Sequence, residues 1–134
     1  MILFWHGILC HTDSKNQSQI ASHAEWEMLR RCGMGSFKDL LIEISKDPAM
    51  VYFLDNCLSH KDAINENYGR ELLELFSLGV GMDGEFNYTE DDIKECARAF
   101  TGWTIANGMP PQPYGRYTST FVYNPDDHDD GEKT

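Results

Sequence analysis

The sequence predicts a mainly α fold, a bundle-like array of helices closed by a small C-terminal β-hairpin. Three observations carry that prediction. Apolar residues recur at helical spacing between Asn65 and Gly79, from Phe37 to Ile44 and from Ile93 to Phe100. Capping residues stand at the starts of these segments. Two short β-branched and aromatic runs appear only after Gly102.

The chain opens with MILFWHGILC, an apolar helix carrying a single histidine, His6. It is too short to span a bilayer and lacks the basic head and cleavage site of a signal peptide. A natural domain usually opens on a polar, mobile tail, so the expectation is a single-domain fragment, residues 1–134, truncated at both ends. His6 reads either as a hydrogen-bonded core histidine or as a ligand. His11 to Gln19 is polar and reads as a loop. In the next helix, Ile20 to Arg31, Ile20, Ala24 and Met28 share a face that Trp26 and Leu29 leave, so its periodicity is only fair. Gly33 and Gly35 end it in a turn.

Ser36 with Asp39 opens the following helix, whose stripe is Phe37, Leu40, Leu41 and Ile44. Asp47-Pro48 starts another, with Asp47 as N-cap and proline at the first helical position, where a missing N–H is harmless. Ala49 to Leu54 is apolar all round and belongs in the core. A loop from Asp55 to Ile64 leads to the segment around which the chain is organised, NENYGRELLELFSLGVG from Asn65.

Asn65 is read there as N-cap and Gly79 as the left-handed residue past the last turn. At about 100° per residue, Tyr68, Leu72, Leu73, Leu75 and Phe76 share one arc, while Glu66, Asn67, Arg70, Glu71, Glu74 and Ser77 share the other. Glu66, Arg70 and Glu74 stand four apart and can pair. Glu71 and Glu74 put two carboxylates near one another, as a metal or an acid–base pair requires. A solvated charged face is the plainer use of the same residues.

Asp83-Gly84 marks a turn. Thr89 with Asp92 caps the best-formed helix, three acids occupy its first turn, and Ile93, Cys96, Ala97, Phe100 and Trp103 form its buried stripe. Trp103-Thr-Ile and Thr120-Phe-Val-Tyr then make a hairpin, joined by a loop through Pro110, Pro111, Pro113 and Gly115. In the tail, Asp126, His128, Asp130 and Gly131 resemble a calcium loop only in part, since histidine replaces a ligand and no distal glutamate follows. A solvated acidic turn is the expected state.

A net charge of −11, with 22 acidic against 11 basic residues, repels polyanions and excludes nucleic acid as a partner. No metal or cofactor site is expected. Cys10, Cys32, Cys57 and Cys96 form no CxxC pair and read as buried apolar residues, although their even number also allows two disulfides.

FWHGIL at Phe4, DPAMVYFLDN at Asp47, the Asn65 block, YTEDDIKECARAFTGW at Tyr88 and HDDGEKT at His128, in this order, resemble the bacterial family called domain of unknown function 1800. The resemblance spans nearly the whole chain and implies a mostly helical fold within a longer protein. Members are often exported, which implies a periplasmic or secreted location. Their genes often neighbour those of a second family similar to alkaline phosphatases and sulfatases, which implies a protein partner. No activity, cofactor or catalytic residue comes with the resemblance. Gly69 departs from it where alanine is more usual, as does Ile8, where many members carry a second histidine.

The leading expectation is an exported helical accessory or interaction protein. The alternative is a metal-assisted, hydrolase-like enzyme with a Glu/Arg/His site drawn from Glu66, Arg70, Glu71, Glu74, His6 and His128.

Overall fold

A computed structural model describes residues 1–16, 18–83, 85–107 and 119–134. The chain is mainly helical, with one small antiparallel two-stranded sheet near its C-terminus. Among the described residues seven α-helices run in the order α1 (Ile2–His6), α2 (Asp13–Asn16), α3 (Gln19–Cys32), α4 (Phe37–Ser45), α5 (Pro48–Phe53), α6 (Asn67–Glu71) and α7 (Glu90–Ala99). The strands β1 (Trp103–Ala106) and β2 (Thr120–Tyr123) pair as the expected hairpin. The Pro110, Pro111, Pro113 and Gly115 loop and the Gly84 half of the Asp83-Gly84 turn lie outside the described residues. Among the described residues no helix is long and apolar enough to cross a membrane.

The chain divides into two compact units, Met1–Phe53 with Ile105–Val122, and Leu54–Thr104 with Tyr123–Thr134. In the first, α3 is the hub and packs against α1, α2, α4 and α5. Its core holds Leu9, Met28, Leu29, Leu40, Ile44, Ala49, Met50 and Val51. The all-apolar α5 is central, as its composition predicts. Asp47 caps it, Oδ1 accepting from the amides of Ala49 at 2.9 Å and Met50 at 3.2 Å. Ser36 caps α4 by accepting from Asp39 N. Trp5 donates through Nε1 to Gly33 O at 2.7 Å, and its ring stacks on Phe37 at 5.9 Å between centroids. The polar stretch after Leu9 is not all loop, because Asp13–Asn16 completes a helical turn.

α3 departs from expectation in which residues it turns inward. Its buried residues are Ala21, Ser22, Glu25, Met28 and Leu29, whereas Ile20 and Trp26 are exposed. The spacing is regular for a helix, but two of its inward positions are polar. A reading that requires an apolar stripe therefore rotates the helix onto the wrong face.

The second unit closes around Tyr68, Phe76, Ile93 and Ala97, with Tyr68, Phe100 and Trp103 in successive edge-to-face contact at 4.8 and 5.0 Å. Thr89 and Asp92 form the predicted capping box on α7. A β-carbon on Gly69 would lie 2.9 Å from Ala97 N and 3.2 Å from Ile93 O, so glycine lets α6 approach the α7 backbone. Buried Asn56 ties this unit together by donating through Nδ2 to Trp103 O at 3.0 Å and Phe100 O at 3.3 Å.

Two expectations for the organising segment shift. Asn65 does accept a backbone amide, that of Asn67 at 3.0 Å, but the residue in the N-cap position is Glu66. After Glu71 the helix widens into a π-helix, Leu72–Ser77, shown by the bond from Leu78 N to Leu73 O at 2.9 Å. The wider turn delays each later side chain relative to a 3.6-residue period. Phe76 stays buried and Leu75 is carried outward to 61% exposure, so Leu75 leaves the core arc assigned to it. Gly79 takes the predicted left-handed conformation at φ +73°.

None of the four cysteines is joined in a disulfide among the described residues. The expectation that they are buried does not hold in full, since Cys10, which follows the last turn of the α1 region, is exposed and Cys32, Cys57 and Cys96 are half-buried. Burial pushes the Cys96 thiol up to about 11, which keeps it protonated.

Candidate functional site

Of the residues singled out from sequence, Glu66, Arg70, Glu71, Glu74 and His128 belong to the second unit and His6 to the first. Arg70 makes a bidentate pair with Glu90 in the first turn of α7, at 3.0 and 2.8 Å, and lies 3.5 Å from Glu66. The bond to Glu90 holds the Arg70 guanidinium more firmly charged than usual. Glu74 accepts from the Tyr88 hydroxyl at 3.1 Å. Glu71 is part-buried beside it, and its carboxyl rises above the ordinary value, first through desolvation and then through the charge of Glu74.

His128 sits in a different network of the same unit. Its Nδ1 donates to Thr101 O at 2.8 Å, and its ring meets Tyr123 edge-on at 5.4 Å. Beside it Arg98 binds Asp129 at 2.8 Å and Glu95 at 2.6 Å, and hydrogen bonds from Arg98 hold the Asp129 carboxyl well below the usual range. Asp127 is taken by His60. Asp129 and Asp127 are thus held by Arg98 and His60 rather than simply solvated. None of the partners of His128 among the described residues is Glu66, Arg70, Glu71 or Glu74.

The first unit holds a cluster that periodicity does not disclose. Glu25, on the inner face of α3, is completely buried. One carboxylate oxygen, Oε2, accepts a very short hydrogen bond from Nδ1 of buried His11, and Oε1 faces His6 Nδ1 at 3.5 Å. His6 ends α1, its ring edge-on to Trp26 at 5.8 Å. On the far side of the His11 ring, Nε2 lies 2.9 Å from Ser22 Oγ, one turn before Glu25 on α3. Asp47, the cap of α5, completes the set. Burial, then the negative charge of Glu25, raises its carboxyl to about 7, against the lowering effect of the Met50 and Ala49 amides and of His11.

Helix geometry explains how the cluster assembles. Ser22 and Glu25 are three apart, so both project from one face of α3, and the chain after α1 lays the His11 ring between them. A buried carboxylate is tolerated only when paired and hydrogen-bonded, since its desolvation in real proteins amounts to several kcal/mol. Glu25 is half satisfied in that sense. Its Oε1 and His6 Nδ1 are buried atoms with no hydrogen-bond partner among the described residues. The arrangement can pass a proton between Ser22 and His11 with Glu25 orienting the ring, and the charge of Glu25 helps Asp47 keep its proton up to about pH 7. Among the described residues no three His, Cys, Asp or Glu side chains are arranged to hold a metal ion.

His6 is therefore the one sequence-predicted residue that enters this cluster. The signal for the others was the spacing of Ala21, Ser22, Glu25, Met28 and Leu29, an intact helical stripe once polar members are admitted. No curated protein and no solved structure matches the chain. The model of one family, described as protein of unknown function (DUF1800), matches residues 1–134. With its five sequence blocks, its helical architecture and that match over its whole length, the chain belongs to the DUF1800 family.

Proposed function

We propose that the chain is a helical accessory domain that docks a protein partner outside the cytoplasm, through the surface that follows its π-helix. The observation that carries this is a run of solvent-facing apolar residues, Leu75, Leu78, Val80, Met82 and Phe86, in a stretch with no lysine or arginine from Glu71 to Asp92. A run of exposed apolar residues interspersed in sequence with Glu71, Glu74, Asp83 and Glu85 suits a binding surface. Beside it lies a concavity of about 520 Å³ lined by Gly81, Met82, Asp83, Glu85 and Asn87. The ion pairs support the same reading, because Arg70 is committed to Glu90 and Glu66 and leaves the stretch acidic.

The partner that fits presents apolar side chains framed by lysine and arginine. A member of the phosphatase- and sulfatase-like family, whose genes often neighbour those of the family this chain resembles, is the partner proposed. Sedimentation velocity of the two purified proteins should show a complex that weakens with added salt and loses at least roughly tenfold in affinity in the double variant Leu75→Asp, Phe86→Asp, with circular dichroism unchanged. The absence of a complex, or one indifferent to both changes, would overturn the reading.

A further inference from the structure

We infer that Ser22, His11 and Glu25 form a nucleophilic relay, and that the first unit cleaves small carboxylic esters at Ser22. This activity is independent of the docking surface, which lies in the other unit.

The geometry is that of a nucleophile, a base and an orienting acid in series. Glu25 accepts the hydrogen bond of the His11 Nδ1–H, which fixes the tautomer and leaves Nε2 as an acceptor directed at Ser22. Among the described residues the acceptors in reach of the Ser22 hydroxyl include His11 Nε2 at 2.9 Å and Ser18 O at 3.2 Å, of which the ring nitrogen is the nearer and the stronger base. Glu25 is wholly buried and His11 and Ser22 nearly so, which strengthens each of these bonds. Ser22 is nevertheless reachable. With Gln19, His23 and Trp26 it lines a cavity of about 360 Å³, within the size range of small-molecule sites. Trp26 offers an apolar wall for an acyl group. The Gln19 and His23 side chains carry N–H groups that can face a developing oxyanion.

The reaction balances with water as the only co-reactant. Ser22 Oγ adds to the ester carbonyl while its proton passes to His11 Nε2. The bond to the leaving oxygen breaks, and that proton departs on the alcohol. Water then adds to the acyl-serine and gives its proton to the same nitrogen; the bond between the acyl carbon and Ser22 Oγ breaks, that proton returns to Oγ, and the carboxylic acid leaves. Glu25 acts here as a positioning residue, because it touches the ring and not the substrate.

The test is covalent labelling of the full chain with a fluorophosphonate, followed by peptide mapping, alongside hydrolysis of p-nitrophenyl acetate and butyrate. One phosphonyl group should appear on Ser22. Ser22→Ala, with an unchanged melting temperature, should lose both the adduct and the ester hydrolysis. His11→Gln should label at least about 100-fold more slowly and lose the decline in labelling that acid causes in the parent chain. Glu25→Gln should slow labelling and alter its pH profile, an effect that a purely structural acid would not produce. A folded parent chain that stays unlabelled at Ser22, or a Ser22→Ala chain that reacts as before, would overturn the inference.

Discussion

Each unit of this protein holds a cluster of paired charges, and the two clusters differ in their access to water. In the first, Glu25 is sealed at 0% exposure and Asp47 is nearly so, with His11 and His6 as their neighbours. In the second, Arg70, Glu66, Glu90, Lys94 and Asp91 pair at the rim, open to water. A carboxylate paired in solvent gives up little and gains little, whereas one paired in the interior loses its hydration and depends wholly on its partners. The same residue types thus decorate the surface around Arg70 and constrain the interior around Glu25.

The sharpest way to break the comparison is to delete one charged group from each side. Glu25→Ala leaves His11 buried without its acceptor and opens a void, and should lower unfolding free energy by about 3–5 kcal/mol. Arg70→Ala should leave the urea midpoint within experimental error. Equal effects in urea denaturation would show that burial is not what separates the two clusters.

The second test uses pH. The Asp47 carboxyl sits higher in the folded chain, at about 7, than its ordinary 3.8, so the folded state holds the proton longer. Its contribution is most favourable below the ordinary value and is lost progressively as pH rises through about 7, by a few kcal/mol at most. Asp47→Asn retains an oxygen for the Ala49 and Met50 amides and cannot ionise. It should flatten stability between pH 4 and 7 and, on the order of 1–3 kcal/mol, stabilise the chain at pH 8. Denaturation midpoints across that range read it directly, and a variant with the parent's slope would place the titration elsewhere.

The smallest expected effect sharpens the second unit. Gly69→Ala gains up to about 1 kcal/mol of helix propensity but drives a methyl into the Ala97 backbone, for a net loss of roughly 1–2 kcal/mol in thermal or urea unfolding. A stabilised variant would show that α7 can move aside. The glycine that looks like a weakened helix in sequence is, in the fold, the position that lets two helices meet.

How much was legible depends on whether the cause is local. Ser36, Asp47-Pro48 and the Thr89/Asp92 box all cap where the sequence places them, because capping is decided by residues two or three apart. The hairpin strands and the apolar α5 were equally plain. The α3 face was not, because an apolar-stripe rule discards Ser22 and Glu25, whose burial is offset by His11 from a different part of the chain. Of the residues proposed for a site, His6 joins that cluster, while Arg70 and Glu66 pair at the surface and His128 binds Thr101.

What the linear chain determined by itself was therefore the class of the fold, the caps, the short strands and the family, all set by neighbours within a turn or by the order of the blocks. Only the folded chain decided that Glu25 faces inward, that Leu75 is swung out by the π-helix, and that Arg98 reaches Asp129. Those outcomes balance desolvation against contacts between residues distant in sequence, and no local pattern encodes the partner that makes burial of a charge tolerable.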